Sequence, residues 1–96
     1  MAIIWRSVPG YPGYIVSDEG DIIGARGRRL KPQPNGRGYL GVRLSRDGVA
    51  RGISIHRIVA LAFLPPAPSM AHTIDHRDRN RHNNRASNLR WATALE

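Results

Sequence analysis

Alternating apolar and polar positions give the clearest structural signal of the chain at 39–55. Every second residue from Leu40 to Leu44 is apolar, which is typical of a strand with one buried face. The dipeptide Asp47-Gly48 follows, and Asp-Gly between alternating runs indicates a tight hairpin turn. The pattern predicts a hairpin over 39–55, with Arg43 projecting from the face opposite the apolar row.

Shorter strand signals precede this hairpin. The runs 14–16 and 21–23 are rich in β-branched and aromatic residues, and the turn-forming cluster 17–20 separates them. The following stretch, 24–38, is rich in glycine, proline and basic residues. It is predicted to be a loop with at most one short strand, near 29–31.

The period of the apolar residues changes to that of a helix over 56–64. Ile58, Leu61 and Ala62 are expected on one helical face, and Pro65-Pro66 end the segment. After a proline-rich loop, a short strand is predicted at 72–74.

The remaining sequence is mostly polar. Residues 75–84 contain no core-forming side chain, 85–88 suit a helical turn, and 89–91 suit a last short strand. Several short strands with one helix predict a small α+β fold.

Composition narrows the function. The 96 residues contain no cysteine, which excludes disulfides and thiolate zinc sites. A net charge of +8, carried almost wholly by arginine, indicates a polyanionic partner, although a GC-rich genome would also favour arginine. No secretion signal is visible and the apolar run 58–64 is too short to span a bilayer. We therefore expect no membrane partner and a cytoplasmic location, in a bacterial or phage-infected host cell.

Residues 74–91 carry the candidate chemistry. Asp75 offers a hard oxygen ligand and His76 a base that changes charge near neutral pH. Hydrolysis of a phosphodiester needs both a metal and a base, and the arginines nearby could hold the phosphate backbone. Asparagines in the last part of the segment could orient an imidazole. An isolated Asp-His pair is more often part of a polar surface loop.

The wider pattern is much more specific than the pair. The relevant residues read His56-Arg57-Ile58-Val59-Ala60-Leu61-Ala62-Phe63, then Asp75-His76-Arg77-Asp78-Arg79-Asn80, then Asn83-Asn84-Arg85-Ala86-Ser87-Asn88-Leu89-Arg90-Trp91. This pattern resembles the HNH nucleases of phage and intron-encoded homing endonucleases. Trp5, Pro9-Gly10-Tyr11, Gly13-Tyr14, Val16-Ser17 and Gly20 resemble the small module that often precedes them.

The resemblance implies a fold and a site. A β-rich, DNA-contacting module at 1–38 would precede a ββα-metal (His-Me finger) motif at 39–96, in one compact unit. A divalent ion, Mg²⁺ or Mn²⁺, would be bound by Asp75, with His76 as general base and Asn88 holding its imidazole. The last family ligand would fall beyond Glu96, which implies a weakened metal site unless Glu96 substitutes for it.

The implied function is an endonuclease that nicks or cuts double-stranded DNA. Its expected DNA contacts are the arginines of 26–37 together with Arg43, Arg77, Arg79, Arg81 and Arg85. Two alternatives stay open: a catalytically incomplete DNA-binding module derived from such a nuclease and, with less support, an RNA-binding protein. Monomer and homodimer are both compatible with the sequence.

Side chains around this pattern are expected to be structural. His56 is predicted to make a structural hydrogen bond, and His72 and His82 are predicted to be surface groups. Phe63 and Trp91 are expected in the core.

Overall fold

The computed structural model describes residues 2–93, which form short antiparallel strands around a single α-helix. The elements are β1 (Trp5–Ser7), β2 (Ile15–Ser17), β3 (Ile22–Ile23), β4 (Gln33–Pro34), β5 (Leu40–Arg46), β6 (Val49–Ser54), α1 (Ile55–Phe63), β7 (Thr73–His76) and β8 (Leu89–Ala92). The predicted α+β fold is confirmed.

The first sheet has the order β1-β2-β3. Val16 and Ile22 pair across β2 and β3, and both side chains are buried. The turn 17–21 connects these two strands, and Gly20 within it has a φ of +93°. A left-handed backbone of this kind favours glycine, because a Cβ is sterically disfavoured there.

The second sheet has the order β4-β5-β6 and contains the predicted hairpin. Asp47 and Gly48 at its tip have φ values of 53° and 78°, as a two-residue type I′ turn requires. Val42 and Leu44 are buried while Arg43 is exposed. The predicted direction of Arg43 is therefore confirmed.

Helix α1 follows β6 directly and buries Ile55, Ile58, Val59 and Ala60. Leu61, predicted on the buried face, is 56% exposed. The prediction was wrong because the buried face includes Val59, and Leu61 lies about 200° around the helix axis from it.

The last two strands form a separate antiparallel hairpin, in which Asp75 pairs with Arg90 and His76 with Leu89. The loop 77–88 joins them and ends in a 3-10 turn at Ala86–Asn88. The resemblance to a ββα-metal motif implies a helix after the hairpin of β7 and β8. That position falls outside the described residues.

One core joins the two halves of the chain. It combines buried residues of the first two sheets, of the loop after β1, of α1 and of β8: Val8, Val16, Ile22, Val42, Leu44, Ile55, Ile58, Val59 and Leu89. Phe63 packs against this core, and half-buried Trp91 donates its indole N–H to the carbonyl of Pro65 at 2.8 Å. The division into modules at 1–38 and 39–96 stays a prediction.

Two elements differ from the predictions. The short strand expected near 29–31 lies at Gln33–Pro34 instead, and Arg29 forms only an isolated bridge with Ile23. Strand β1 carries no alternating pattern and was not predicted; it exists through its pairing with β2. No helix within residues 2–93 has the length and apolar character needed to cross a membrane.

Candidate active site

The Asp75-His76 pair lies at the end of β7, and its two side chains have different surroundings. His76 is only 5% exposed, whereas the Asp75 side chain is 42% exposed. Adjacent residues of a strand point to opposite faces, which accounts for the difference. The strand end therefore presents a carboxylate to solvent and an imidazole to a protected environment.

Asn84 is the hydrogen-bond partner of the His76 ring. The Nε2 atom of His76 lies 2.9 Å from Oδ1 of Asn84, which is itself 5% exposed. An amide oxygen can only accept a hydrogen bond, so Nε2 carries the N–H in this contact. The basic nitrogen is consequently Nδ1. Asn84 belongs to the stretch in which we expected no core-forming residue.

Asn88, predicted to hold this imidazole, has a different role. Its Oδ1 accepts the backbone N–H of Asp78 at 3.1 Å, and its Nδ2 donates to Asp78 Oδ1 at 2.9 Å and to the Asn83 carbonyl at 2.8 Å. Its own carbonyl accepts the N–H of Arg77 at 2.7 Å. These bonds commit Asn88 to closing the loop 77–88, so Asn84 orients His76 instead.

The loop is further ordered by Asp78. The side chain of Asn83, the backbone N–H of Asn80 and the side chain of Asn88 all donate to its carboxylate. These hydrogen bonds, with that of Asn83 the largest cause, lower the pKa of Asp78. The loop is therefore held by a network of polar side chains.

Asp75 is oriented by its cross-strand partner. Its Oδ2 accepts the Nε–H of Arg90 at 2.9 Å. This hydrogen bond orients the carboxylate and so sets the direction of Oδ1. Across residues 2–93 no group of three or more His, Cys, Asp or Glu side chains is arranged to hold a metal ion. The metal-binding role of Asp75 stays a prediction, and Glu96 lies outside the described residues.

Two aromatic rings flank His76. The centroid of the Tyr39 ring lies 4.7 Å from that of His56 and 5.9 Å from that of His76, and the two imidazoles are 5.2 Å apart. Tyr39 was not singled out from the sequence, because nothing near it in the glycine-rich loop marks it. The cluster unites a residue just before β5 with residues of α1 and β7.

His56 was predicted to make a structural hydrogen bond, and its Nδ1 does not make one within residues 2–93. That atom is buried and has no partner among the described residues. Burial, then the proximity of His76, then that of Arg57 lower the pKa of His56 to about 4. The ring is therefore neutral at physiological pH and packs as an aromatic group.

The arginines divide into two groups. Arg43, Arg77, Arg79 and Arg85 are exposed. Arg6, Arg46 and Arg81 are exposed as well, but their guanidinium groups make contacts within the protein. Arg6 contacts the Ala62 carbonyl and the Phe63 ring, Arg46 the Gly10 carbonyl and the Tyr11 ring, and Arg81 the Arg37 carbonyl and the Tyr39 ring. Arg81 was predicted to contact DNA, and its guanidinium is engaged in this internal contact.

The exposed positive charge is largely uncompensated. Within residues 2–93, ion pairs join arginine to carboxylate at Arg29–Asp21, 3.9 Å, and Arg90–Asp75, 2.9 Å. Both His72 and His82 were predicted to be surface groups. His82 is exposed, whereas His72 is half-buried and shares a hydrogen bond with the Ser69 hydroxyl at 2.8 Å.

Comparisons with known proteins agree with this geometry. Residues 54–96 match the family model described as HNH endonuclease. The chain is 35% identical over 91 residues to the DNA endonuclease I-HmuI of Bacillus phage SP01, across 93% of this chain and 52% of that protein. It is 36% identical over 81 residues to an HNH endonuclease of Acanthamoeba polyphaga mimivirus, across 83% of this chain and 24% of the relative.

A solved structure of I-HmuI, described as showing DNA binding and cleavage, superposes with a TM-score of 0.85 and 32% identity. The superposition covers 96% of this chain and 53% of that one, so the chain spans about half the length of I-HmuI. The chain therefore carries a domain of the HNH endonuclease family and is homologous to the phage homing endonuclease I-HmuI, whose fold it shares.

Proposed function

We propose that this protein is a metal-dependent endonuclease that hydrolyses phosphodiester bonds of double-stranded DNA. The observation that carries the proposal is the hydrogen bond from His76 Nε2 to Asn84 Oδ1. It leaves Nδ1 as the ring nitrogen available to act as a base, in a residue next in sequence to an accessible carboxylate. A base and a metal ligand at one strand end are the two groups that hydrolysis of a phosphodiester requires.

His76 acts as the general base in this mechanism. Its Nδ1 takes a proton from a water molecule, and the water oxygen attacks phosphorus as the P–O bond to the leaving oxygen breaks. Asn84 keeps the Nε2 proton in place and stabilises the imidazolium that forms, because its oxygen continues to accept that hydrogen bond. A general base of this kind typically contributes a factor of ~10²–10⁴ in rate.

Asp75 is the residue that would hold the metal. A carboxylate oxygen is the donor that Mg²⁺ and Mn²⁺ prefer, and such ions keep several waters while binding one or two carboxylates and substrate phosphates. Arg90 holds Oδ2 and so fixes the direction of Oδ1. When bound, the ion would neutralise charge that develops on the phosphate.

The exposed arginines are the proposed DNA contacts. Arg77, Arg79 and Arg85 lie on the loop that leads away from His76, and Arg43 lies on the second sheet. Their guanidinium groups suit phosphate oxygens, and contacts of this type position a duplex. I-HmuI is described as binding and cleaving DNA, which supports the same substrate here. One such site cleaves one strand at a time, so nicking is the expected elementary event.

A second candidate is a DNA-binding module with an incomplete metal site. It is favoured by one observation: within residues 2–93, Asp75 is not joined by further carboxylates or histidines in a metal-binding cluster. This candidate predicts DNA binding without cleavage.

The two candidates are separated by incubating supercoiled plasmid with the 96-residue chain and increasing Mg²⁺ or Mn²⁺. Open-circular product that appears with metal and is lost with chelator supports the nuclease. DNA binding in a gel-shift assay without any open-circular product supports the incomplete module.

A further inference from the structure

The turn 17–21 between β2 and β3 packs on the loop that carries Asn84. A Cβ built on Gly20 would lie 3.2 Å from the Cβ of Asn84 and 3.2 Å from its carbonyl oxygen. Two residues further along the loop, the backbone N–H of Ala86 donates to the carbonyl of Asp18 at 2.8 Å. The turn 17–21 therefore contacts the Asn84 segment by close packing and by a backbone hydrogen bond.

This turn is rigid. Ser17 is completely buried, and its hydroxyl accepts the N–H groups of Glu19 at 3.2 Å and Asp21 at 3.0 Å. The N–H of Gly20 donates to the carbonyl of Ser17 at 3.0 Å, and that of Asp18 to the carbonyl of Ile4 at 3.0 Å. Since these bonds fix the turn, its position sets the position of whatever packs against it.

Asn84 transmits that position to His76. Its side chain is almost fully buried, and its Oδ1 lies at hydrogen-bond distance from Nε2. A displacement of a few tenths of an ångström is enough to weaken such a bond, since hydrogen bonding falls steeply with distance and angle. The side chain of Asn84 therefore connects the packing contact at Gly20 with the hydrogen bond at Nε2 of His76.

We propose that Gly20 is a positioning residue for catalysis: the turn 17–21 sets Asn84, and Asn84 holds the proton on Nε2 of His76. The inference rests on the proposed nuclease function. It gives the N-terminal sheet a role in the chemical step, in addition to any contact that this sheet makes with DNA.

The test compares Gly20→Ala with Gly13→Ala. Both glycines have a positive φ, +93° and +91°, which is strained for alanine, but a Cβ at Gly13 has no atom within 4 Å. Both variants therefore carry the same backbone penalty, and only Gly20→Ala presses on Asn84. The readouts are the ¹⁵N NMR shifts of the two His76 ring nitrogens in metal-free protein, and kcat and KM for plasmid nicking.

For Gly20→Ala we expect a mixed tautomer at His76 and a kcat lowered by about threefold to tenfold with KM unchanged, since a 1 Å misplacement costs roughly 10²-fold. Gly13→Ala should keep the Nε2–H tautomer and the parent kcat. Identical spectra and rates in the two variants would overturn the proposal.

A second variant serves if Gly20→Ala does not fold. Ala86→Pro removes the N–H that binds Asp18 and adds nothing at Asn84. Proline suits the first position of a 3-10 turn, and the preceding Arg85 has an extended backbone, φ −64° and ψ 139°, that tolerates it. The same change in the tautomer and in kcat is expected, and an unchanged tautomer would contradict the proposal.

The proposed nuclease function and the inference about Gly20 can be contradicted by different results. If the parent chain does not nick DNA, the proposed function fails, while the NMR comparison still tests the coupling of Gly20 to His76. If the parent chain nicks DNA and both Gly20→Ala and Ala86→Pro keep its tautomer and kcat, only the inference fails.

Discussion

At the scale of single residues, two asparagines of the loop 77–88 make different hydrogen bonds. Asn84 accepts from Nε2 of His76, whereas Asn88 bonds Asp78 and the Asn83 carbonyl. The sequence placed Asp75 and His76 at a strand end and indicated that an asparagine would orient the imidazole. Which asparagine does so depends on the path of the loop 77–88, which its polar residues do not reveal.

Replacing Asn84 and Asn88 separately tests this division. Asn84→Ala leaves the buried Nε2–H without its acceptor, so we expect a mixed His76 tautomer and kcat for nicking lower by roughly 10- to 100-fold. Asn88→Ala opens the loop instead and should lower the free energy of unfolding by about 1–3 kcal/mol. The ¹⁵N NMR shifts of the His76 ring report the tautomer in both variants, and thermal melts report their stability. A changed tautomer in Asn88→Ala alone would reverse the assignment.

At the scale of elements, the site is assembled by three segments that are distant in sequence. The residue before β5, Tyr39, joins His56 of α1 and His76 of β7 in one aromatic cluster. The hairpin 39–55 and the helix were predictable because alternation, the Asp-Gly turn and the terminal prolines are local signals. The cluster was not, because it depends on packing between elements.

The cluster makes the fold sensitive to acid. The pKa of His56 is about 4 in the folded protein against 6.5 for the unpaired side chain, because burial disfavours the charged ring. Between these values the unfolded state binds more protons, so stability is full above about 6.5 and falls as the pH drops toward 4.

We expect His56→Phe, which keeps an aromatic ring against Tyr39, to lose less stability on acidification than the parent. The measurement is the melting temperature at several pH values across that window. His82→Gln, a change at an exposed histidine, serves as the control and should follow the parent. Parallel pH curves for His56→Phe and the parent would contradict the assigned pKa.

At the scale of the whole molecule, the net charge of +8 is the property most clearly tied to DNA. The count of arginines indicated a polyanionic partner, but it could not separate arginines without partners among the described residues from exposed arginines whose guanidinium groups contact other segments of the chain. Arg6, Arg46 and Arg81 each combine a backbone hydrogen bond with an aromatic contact. Such pairings join segments far apart in sequence and leave no local signature.

DNA affinity should fall steeply with salt. With roughly 6 phosphate contacts, affinity is expected to fall on the order of 10³-fold between about 50 and 200 mM salt. Arg43→Gln, at an exposed arginine, should reduce the slope of log K against log salt by about one. Arg6→Gln, at an arginine bound to α1, should leave the slope unchanged. Equal slopes for the parent and Arg43→Gln would remove Arg43 from the interface.

The central claim is that Nδ1 of His76 is the base that prepares water for attack on the DNA backbone. The most direct measurement is plasmid nicking with Mn²⁺ by the parent, His76→Ala and His82→Ala, with DNA affinity measured in parallel. We predict that His76→Ala loses activity by ~10²–10⁴ while binding DNA like the parent, and that His82→Ala cleaves normally. Cleavage by His76→Ala at the parent's rate would contradict the account.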